Sequence, residues 1–506
     1  MVPVASAAPG GIATSAYAPR RADETLLYAS VAGHLESFLG RARARGRVVP
    51  RFVEREFRKF LECGIPAHGF MRVRCDDCGL DRIVPFSCKG RGFCTSCGGR
   101  RMADTAAHLV DRVLPRAPVR QWVLSLPVPL RYRLAYDAKL TGEVLALFVR
   151  AVFGSLRRRG GKRGQTGRLR CGAVTFVQRF GDALNLNVHF HLLAIDGTFD
   201  AGDDMRYRTV PPPDDDEVAL VARRVARNLA RLLERRGLGP ESAADAADPL
   251  GADQPMLAAL YAASVRGRVA TGPRSGQRLL RFGDRVDADR LPECAGKARR
   301  CAQVGGVSIH ANVSVPPNDR SRLERLCRYV ARAPLASERL ERGPGGRLLY
   351  RLRHRWRDGT THMLFEPIEL LERLAALVPP PRFNMVRYHG VFGPAAKRRT
   401  LVVPRDGGPS SHASTTHAAC RGGGASHAPD PRDERRPRRY EWAELMRRVF
   451  AVDVFKCPRC AGTRRILAAI HAPTATRAIL ESLALPSRPP PVASSSEADP
   501  RIEEFD

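Results

Sequence analysis

NLNVHFHLLAIDG, running from Asn185 to Gly197, is the stretch that decides how the rest of the chain reads. Leu186 to Ile195 is dense in apolar and β-compatible residues and predicts a strand. Alternate side chains of a strand share a face, so His189 and His191 point one way and Phe190 the other. Two imidazoles one strand repeat apart can hold one divalent cation and leave coordination positions open for a substrate. A pair of satisfied histidines on a solvated face would read the same way. The neighbours of the motif therefore carry the argument.

Immediately upstream, Ala173–Phe180 predicts a second strand, with Gly181 and Asp182 in the turn between them. Antiparallel pairing across that turn brings Gln178 beside the histidines as a third, oxygen ligand. His310, on the later stretch SIHANV, is the competing third ligand. Downstream, Asp319–Ala331 has helical spacing and stops before Pro334. It carries Tyr329, whose hydroxyl can attack a phosphodiester and conserve the bond energy as a phosphotyrosine. Arg332, three residues on, is placed to neutralise the phosphate. Further out, Gln121–Leu126, Ser308–Val315, Leu348–Trp356 and Thr361–Phe365 read as strands. Leu140–Leu156, Ala219–Arg236 and Pro367–Leu377 read as helices, and two more fall between Thr25 and Leu61. Ala103–Val113 reads as a short helix.

Ahead of this region lies a cysteine-rich segment. Cys75 and Cys78 form one CxxC pair, Cys94 and Cys97 another, with fifteen residues between the pairs. Two such knuckles supply the four soft tetrahedral ligands that zinc prefers. So small a segment lacks a core of its own, so the metal would contribute folding energy directly. Cys63, His68 and Cys88 are candidates for a second zinc. Lys89, Arg91, Arg100 and Arg101 flank the segment and suit a nucleic-acid contact. The loop RRRGGKRGQTGRLR, Arg157 to Arg170, adds Arg157, Arg158, Lys162 and Arg163 as further DNA-contacting candidates. Near the other end, Cys457 and Cys460 form a single knuckle without an obvious mate, with Cys420 and His471 as candidates to complete it.

Composition sets the partner. The 506 residues include 84 Lys plus Arg against 52 Asp plus Glu, a net charge of +32, and only seven of the basic residues are lysine. A chain this basic expects a polyanion, and nucleic acid is the commonest. With 43% hydrophobic residues, wholesale disorder is excluded. No apolar run is long enough to span a bilayer. The leader 1–24 lacks the pattern of a secretory signal, which together with the clustered cysteines points to a reducing compartment. Between Pro404 and Arg438 there is no Val, Ile, Leu, Met, Phe or Trp, so 404–438 reads as a disordered linker. A small module follows at 440–485, then a tail at 486–506. No GxxxxGK[ST] loop is present, so ATP is not the expected energy source.

Three stretches in order, CDDCGLDRIVPFSCKGRGFCTSCGGRR (75–101), VTFVQRFGDALNLNVHFHLLAIDG (174–197) and RLCRYVARAPLASERL (325–340), resemble the rolling-circle insertion-sequence transposases of the IS-ninety-one type. These belong to the HUH endonuclease superfamily, named for His-hydrophobe-His. The resemblance covers roughly residues 25–400. It implies an α+β fold: a zinc-binding domain at 25–112, small, helical and ribbon-like, followed at 118–400 by an HUH-type antiparallel sheet flanked by helices. It implies an enzyme that nicks and rejoins single-stranded DNA at element ends, with Tyr329 as nucleophile. His189 and His191 match the ligands of a catalytic Mg²⁺ or Mn²⁺, and Zn²⁺ is structural. The expected location is the bacterial cytoplasm, at the nucleoid. Some members carry two tyrosines four residues apart; here those positions are Arg325 and Ala333, so the chain resembles the single-tyrosine branch, and a second active site would come from another copy. Two other functions use the same residues: a zinc-dependent DNA-binding regulator without catalysis, and a relaxase or replication initiator.

Overall fold

In a computed structural model that describes residues 21–161, 166–202, 204–239, 248–283, 299–404 and 440–494, the strand Leu186–Ile195 lies inside a seven-stranded antiparallel sheet. The strand order is Cys301–Val304, Val307–His310, Val119–Ser125, Leu186–Ile195, Gly172–Phe180 and Val386–Gly390, with Ser314–Val315 also pairing to Val119–Ser125. The fold is thus α+β, with antiparallel sheets flanked by helices. The stretch expected as one strand, Ser308–Val315, is two. Between them, Val313 accepts a hydrogen bond from the Gln121 N–H at 2.9 Å, so the backbone stays tied to the neighbouring strand across the break.

Period-two alternation explains the layering. One face of the sheet carries Val174 and Phe176 on one strand and Leu193 and Ile195 on the next. Against that face pack the helices Thr95–Arg112 and Arg320–Ala331, through Ala106, Leu109, Val110, Leu323, Leu326 and Val330. Gly98 permits this approach, because a Cβ there would meet the Ala333 Cβ at 2.6 Å. The opposite face turns Trp122, Leu124, Phe190 and Leu192 into a fully buried layer. There Arg179 donates to the Ala135 carbonyl at 2.7 Å and to the Tyr261 hydroxyl at 3.1 Å, tying in the helices Val128–Tyr136 and Pro255–Arg266. Burial pulls this guanidinium below its ordinary range.

The chain divides into two compact units. One comprises Met1–Glu24, Glu62–Cys88 and Arg439–Pro490; the other comprises Thr25–Leu61, Lys89–Arg438 and Pro491–Asp506. The helices Leu26–Arg43 and Arg51–Glu62 fall almost wholly in the sheet-bearing unit. The segment 440–485 contributes to the first unit. Its strand Arg464–Ile470 pairs antiparallel with Phe70–Cys75, which in turn pairs with Asp81–Pro85, in one three-stranded sheet. No helix among the described residues is long and apolar enough to cross a membrane.

Candidate active site and cysteine cluster

The register builds the site. Gln178 lies directly opposite His189, and Phe176 opposite His191, so Gln178 and both histidines share one face. The two imidazole centroids are 4.9 Å apart. His189 donates from Nδ1 to the Asn187 carbonyl at 2.8 Å, which leaves Nε2 as the lone-pair nitrogen. Burial holds His189 down at about 4 and His191 well below its ordinary range, so both rings are neutral, the form in which imidazole ligates metal. Nε2 of His191 and Oε1 of Gln178 are both buried without a hydrogen-bond partner. Buried polar atoms are ordinarily paired, so two left open on one face mark the site as built to meet something outside the fold.

Tyr329 joins them from the side. Its ring stands edge-on to His191 at 6.0 Å between centroids. The Gln178 amide N–H donates to the Val330 carbonyl at 2.8 Å, near the C-terminal end of the helix Arg320–Ala331 that bears Tyr329. One side chain thereby anchors the helix end and presents its oxygen. Tyr329 remains 43% exposed. The Arg332 guanidinium lies over the Tyr329 ring at 4.3 Å and over Phe180 at 5.2 Å. Burial lowers Arg332 from its ordinary range. Arg353 lies over the same tyrosine ring at 5.5 Å. Asp182, in the turn after Phe180, accepts from the Arg353 backbone N–H at 2.7 Å and from Arg339 at 2.8 Å. Together Arg332, Arg339 and Arg353 line a small cationic cleft with Phe180 and Asp182.

Two of these participants escaped the sequence reading. Arg353 sat in an unremarkable hairpin. Gln121, on Val119–Ser125, places its side-chain amide 2.6 Å from Nδ1 of His191. Its signal was a polar residue at the head of the apolar run QWVLSL, which means something only once that strand is known to pair with the histidines. The Gln121 amide N–H donates to this Nδ1 and so orients the His191 ring. His310, the rival ligand, is two strands away from His191; Cys301 Sγ lies 2.9 Å from its Nδ1, and the Ser308 hydroxyl 3.4 Å from its Nε2.

The basic candidates divide. Lys89 and Arg100 are exposed. Arg91 donates to the Phe383 carbonyl and Arg101 to the Gly90 carbonyl, so both also hold the backbone. Arg157 donates to the Leu169 carbonyl at 3.1 Å, and Arg158 pairs with Glu217 at 2.6 Å. Lys162 and Arg163 lie outside the described residues, as does Cys420.

The cysteines correct the expected zinc set. Cys75 and Cys78 group with Cys457 and Cys460, not with Cys94 and Cys97, and the four sulfurs lie within 4.8 Å of one another. Strand pairing between 70–75 and 464–470 causes this, and no spacing within 75–97 could have shown it. Cys94 caps the helix Thr95–Arg112 and Cys97 lies in its first turn, both buried. The Cys88 N–H donates to Cys63 Sγ at 3.4 Å, but His68 belongs to no ligand cluster among the described residues. His471 stacks on Phe86 at 4.5 Å instead of completing the late knuckle.

Residues 33–126 match a family model described as a transposase zinc-binding domain, and residues 172–400 match one described as "Putative transposase". The chain carries the two domains of an insertion-sequence transposase. Among curated proteins and among solved structures, nothing matches. The second matched span holds Gln178, His189, His191, Tyr329, Arg332 and Arg353 of the transposase. Cys457 and Cys460 fall outside both spans. The transposase has DNA as its partner, and its cysteine clusters fit structural zinc.

Proposed function

We propose that this transposase nicks single-stranded DNA at element ends, and rejoins it, by tyrosine transesterification. The observation that supports this most directly is the pair of orphaned buried atoms, His191 Nε2 and Gln178 Oε1, beside the ring of an exposed tyrosine. The Tyr329 hydroxyl oxygen attacks the scissile phosphorus. The bond from phosphorus to the 3′ oxygen breaks, the tyrosine proton ends on that oxygen, and a 5′-phosphotyrosine remains beside a free 3′-hydroxyl. Rejoining reverses the step with a target 3′-hydroxyl as attacking group.

Arg332 and Arg353, over the tyrosine ring, neutralise the phosphate as charge passes to the leaving oxygen. Gln178 fixes the helix end so that the tyrosine stays in register with the histidines. A Mg²⁺ or Mn²⁺ held by His189, His191 and Gln178 would polarise the scissile phosphate. Exposed Lys89 and Arg100 contribute sequence-independent contacts to the strand. A single tyrosine per active site implies that two cleavages in one reaction draw on a second copy.

The test is incubation with single-stranded oligonucleotides from the element's ends and Mn²⁺, followed by a denaturing gel. The native protein should yield a covalent protein–DNA band. Tyr329→Phe should bind the same DNA and yield none; an adduct formed by that variant would overturn the assignment.

A further inference from the structure

We infer that Cys75, Cys78, Cys457 and Cys460 hold one zinc ion, so that the zinc ribbon of this chain is closed by its C-terminal segment. Cys75 Sγ lies 3.5 Å from Cys460 Sγ, and Cys78 Sγ lies 3.6 Å from Cys457 Sγ. Tetrahedral Zn–S bonds of about 2.3 Å put sulfurs roughly 3.8 Å apart. A disulfide would need about 2.05 Å. The spacing is that of four thiolates around one metal.

The two knuckles have matching backbones. The Gly79 N–H donates to the Cys75 carbonyl at 3.1 Å, and the Ala461 N–H to the Cys457 carbonyl at 2.9 Å. The Cys75 N–H donates to Leu80 at 2.9 Å, and the Cys457 N–H to Gly462 at 2.8 Å. Gly79 at φ +67° and Ala461 at φ +60° are both left-handed. Glycine adopts that conformation freely; alanine does so only when the surroundings enforce it. Two equivalent turns, one from each end of the chain, are the usual scaffold of a four-cysteine ribbon site. They also interlock: the Asp76 N–H donates to the Thr463 carbonyl at 3.2 Å, and Asp76 pairs with Arg465 at 2.7 Å.

The linked cysteines are 379 and 385 residues apart in sequence. A metal that joins them removes a large loop from the unfolded ensemble and holds Arg464–Ile470 on the edge of the sheet. The N-terminal knuckle alone offers two of the four ligands. The inference is independent of the proposed nicking chemistry.

The full-length protein, its Cys457→Ser/Cys460→Ser variant and a Cys460→His variant would be purified and their zinc measured by mass spectrometry of the metal. The double-serine variant should hold one zinc fewer per chain, and Cys460→His, which keeps a ligand, should hold the native number. Maleimide labelling reads the same link in the other direction. In Cys75→Ser/Cys78→Ser, Cys457 and Cys460 should label at least ten times faster than in the native protein. Unchanged zinc in the double-serine variant, or unchanged labelling of Cys457 and Cys460, would overturn the inference.

Discussion

At the scale of single residues, the site works by leaving some polar atoms unpaired while it fixes others. His189 is tied at Nδ1 to its own strand, His191 at Nδ1 to Gln121, and Gln178 at its amide nitrogen to the tyrosine helix. What remains lies on one face of the sheet. Gln121→Leu removes the partner that orients the His191 ring, and loss of such a partner typically costs about 10–100-fold in metal affinity. The Mn²⁺ concentration giving half-maximal adduct should rise by that factor, while the adduct level at saturating Mn²⁺ changes little. The histidines, Gln178, Tyr329 and Arg332 could be named as candidates from sequence because a strand's period of two and a helix's end are local facts. Gln121 and Arg353 were not, because their roles exist only across strand pairs or turns that no local pattern specifies.

At the scale of elements, sequence reading did best where one period ran long. Leu186–Ile195 and Pro367–Leu377 have the expected bounds, and Asp319–Ala331 is a helix over Arg320–Ala331 with Asp319 as its cap. That helix is held by Leu323, Leu326, Cys327 and Val330 on its buried side, and by Asp319, whose carboxylate accepts from the Arg322 N–H at 2.9 Å. Asp319→Ala should lower stability by about 1 kcal/mol, as loss of an N-cap generally does. Thermal denaturation would read this as a drop of a few degrees, with Tyr329 still able to form its adduct at lower temperature. Reading failed on Val386–Gly390, a short edge strand, and on Arg464–Ile470, whose side chains are mostly exposed. Neither has the half-buried alternation that marks a strand, since each is specified by its partner's open backbone groups.

At the scale of the whole molecule, charge and connectivity act together. The net charge of +32 makes the salt dependence of DNA binding the most direct global measurement. The logarithm of the binding constant should fall linearly with the logarithm of salt, and Lys89→Ala or Arg100→Ala should each make the slope shallower by about 1. Composition, the HFH strand, the tyrosine helix and the CxxC pairs by themselves determined the partner, the chemistry sought and the presence of thiolate sites, because each depends on residue type and short-range spacing. Only the tertiary structure decided which cysteines meet. It also decided which amide supports which histidine, and that the first and last parts of the chain share one sheet. Pairing between segments 379 or more residues apart is set by which exposed strand edges and thiolates find complements, and nothing within either segment encodes the other's position.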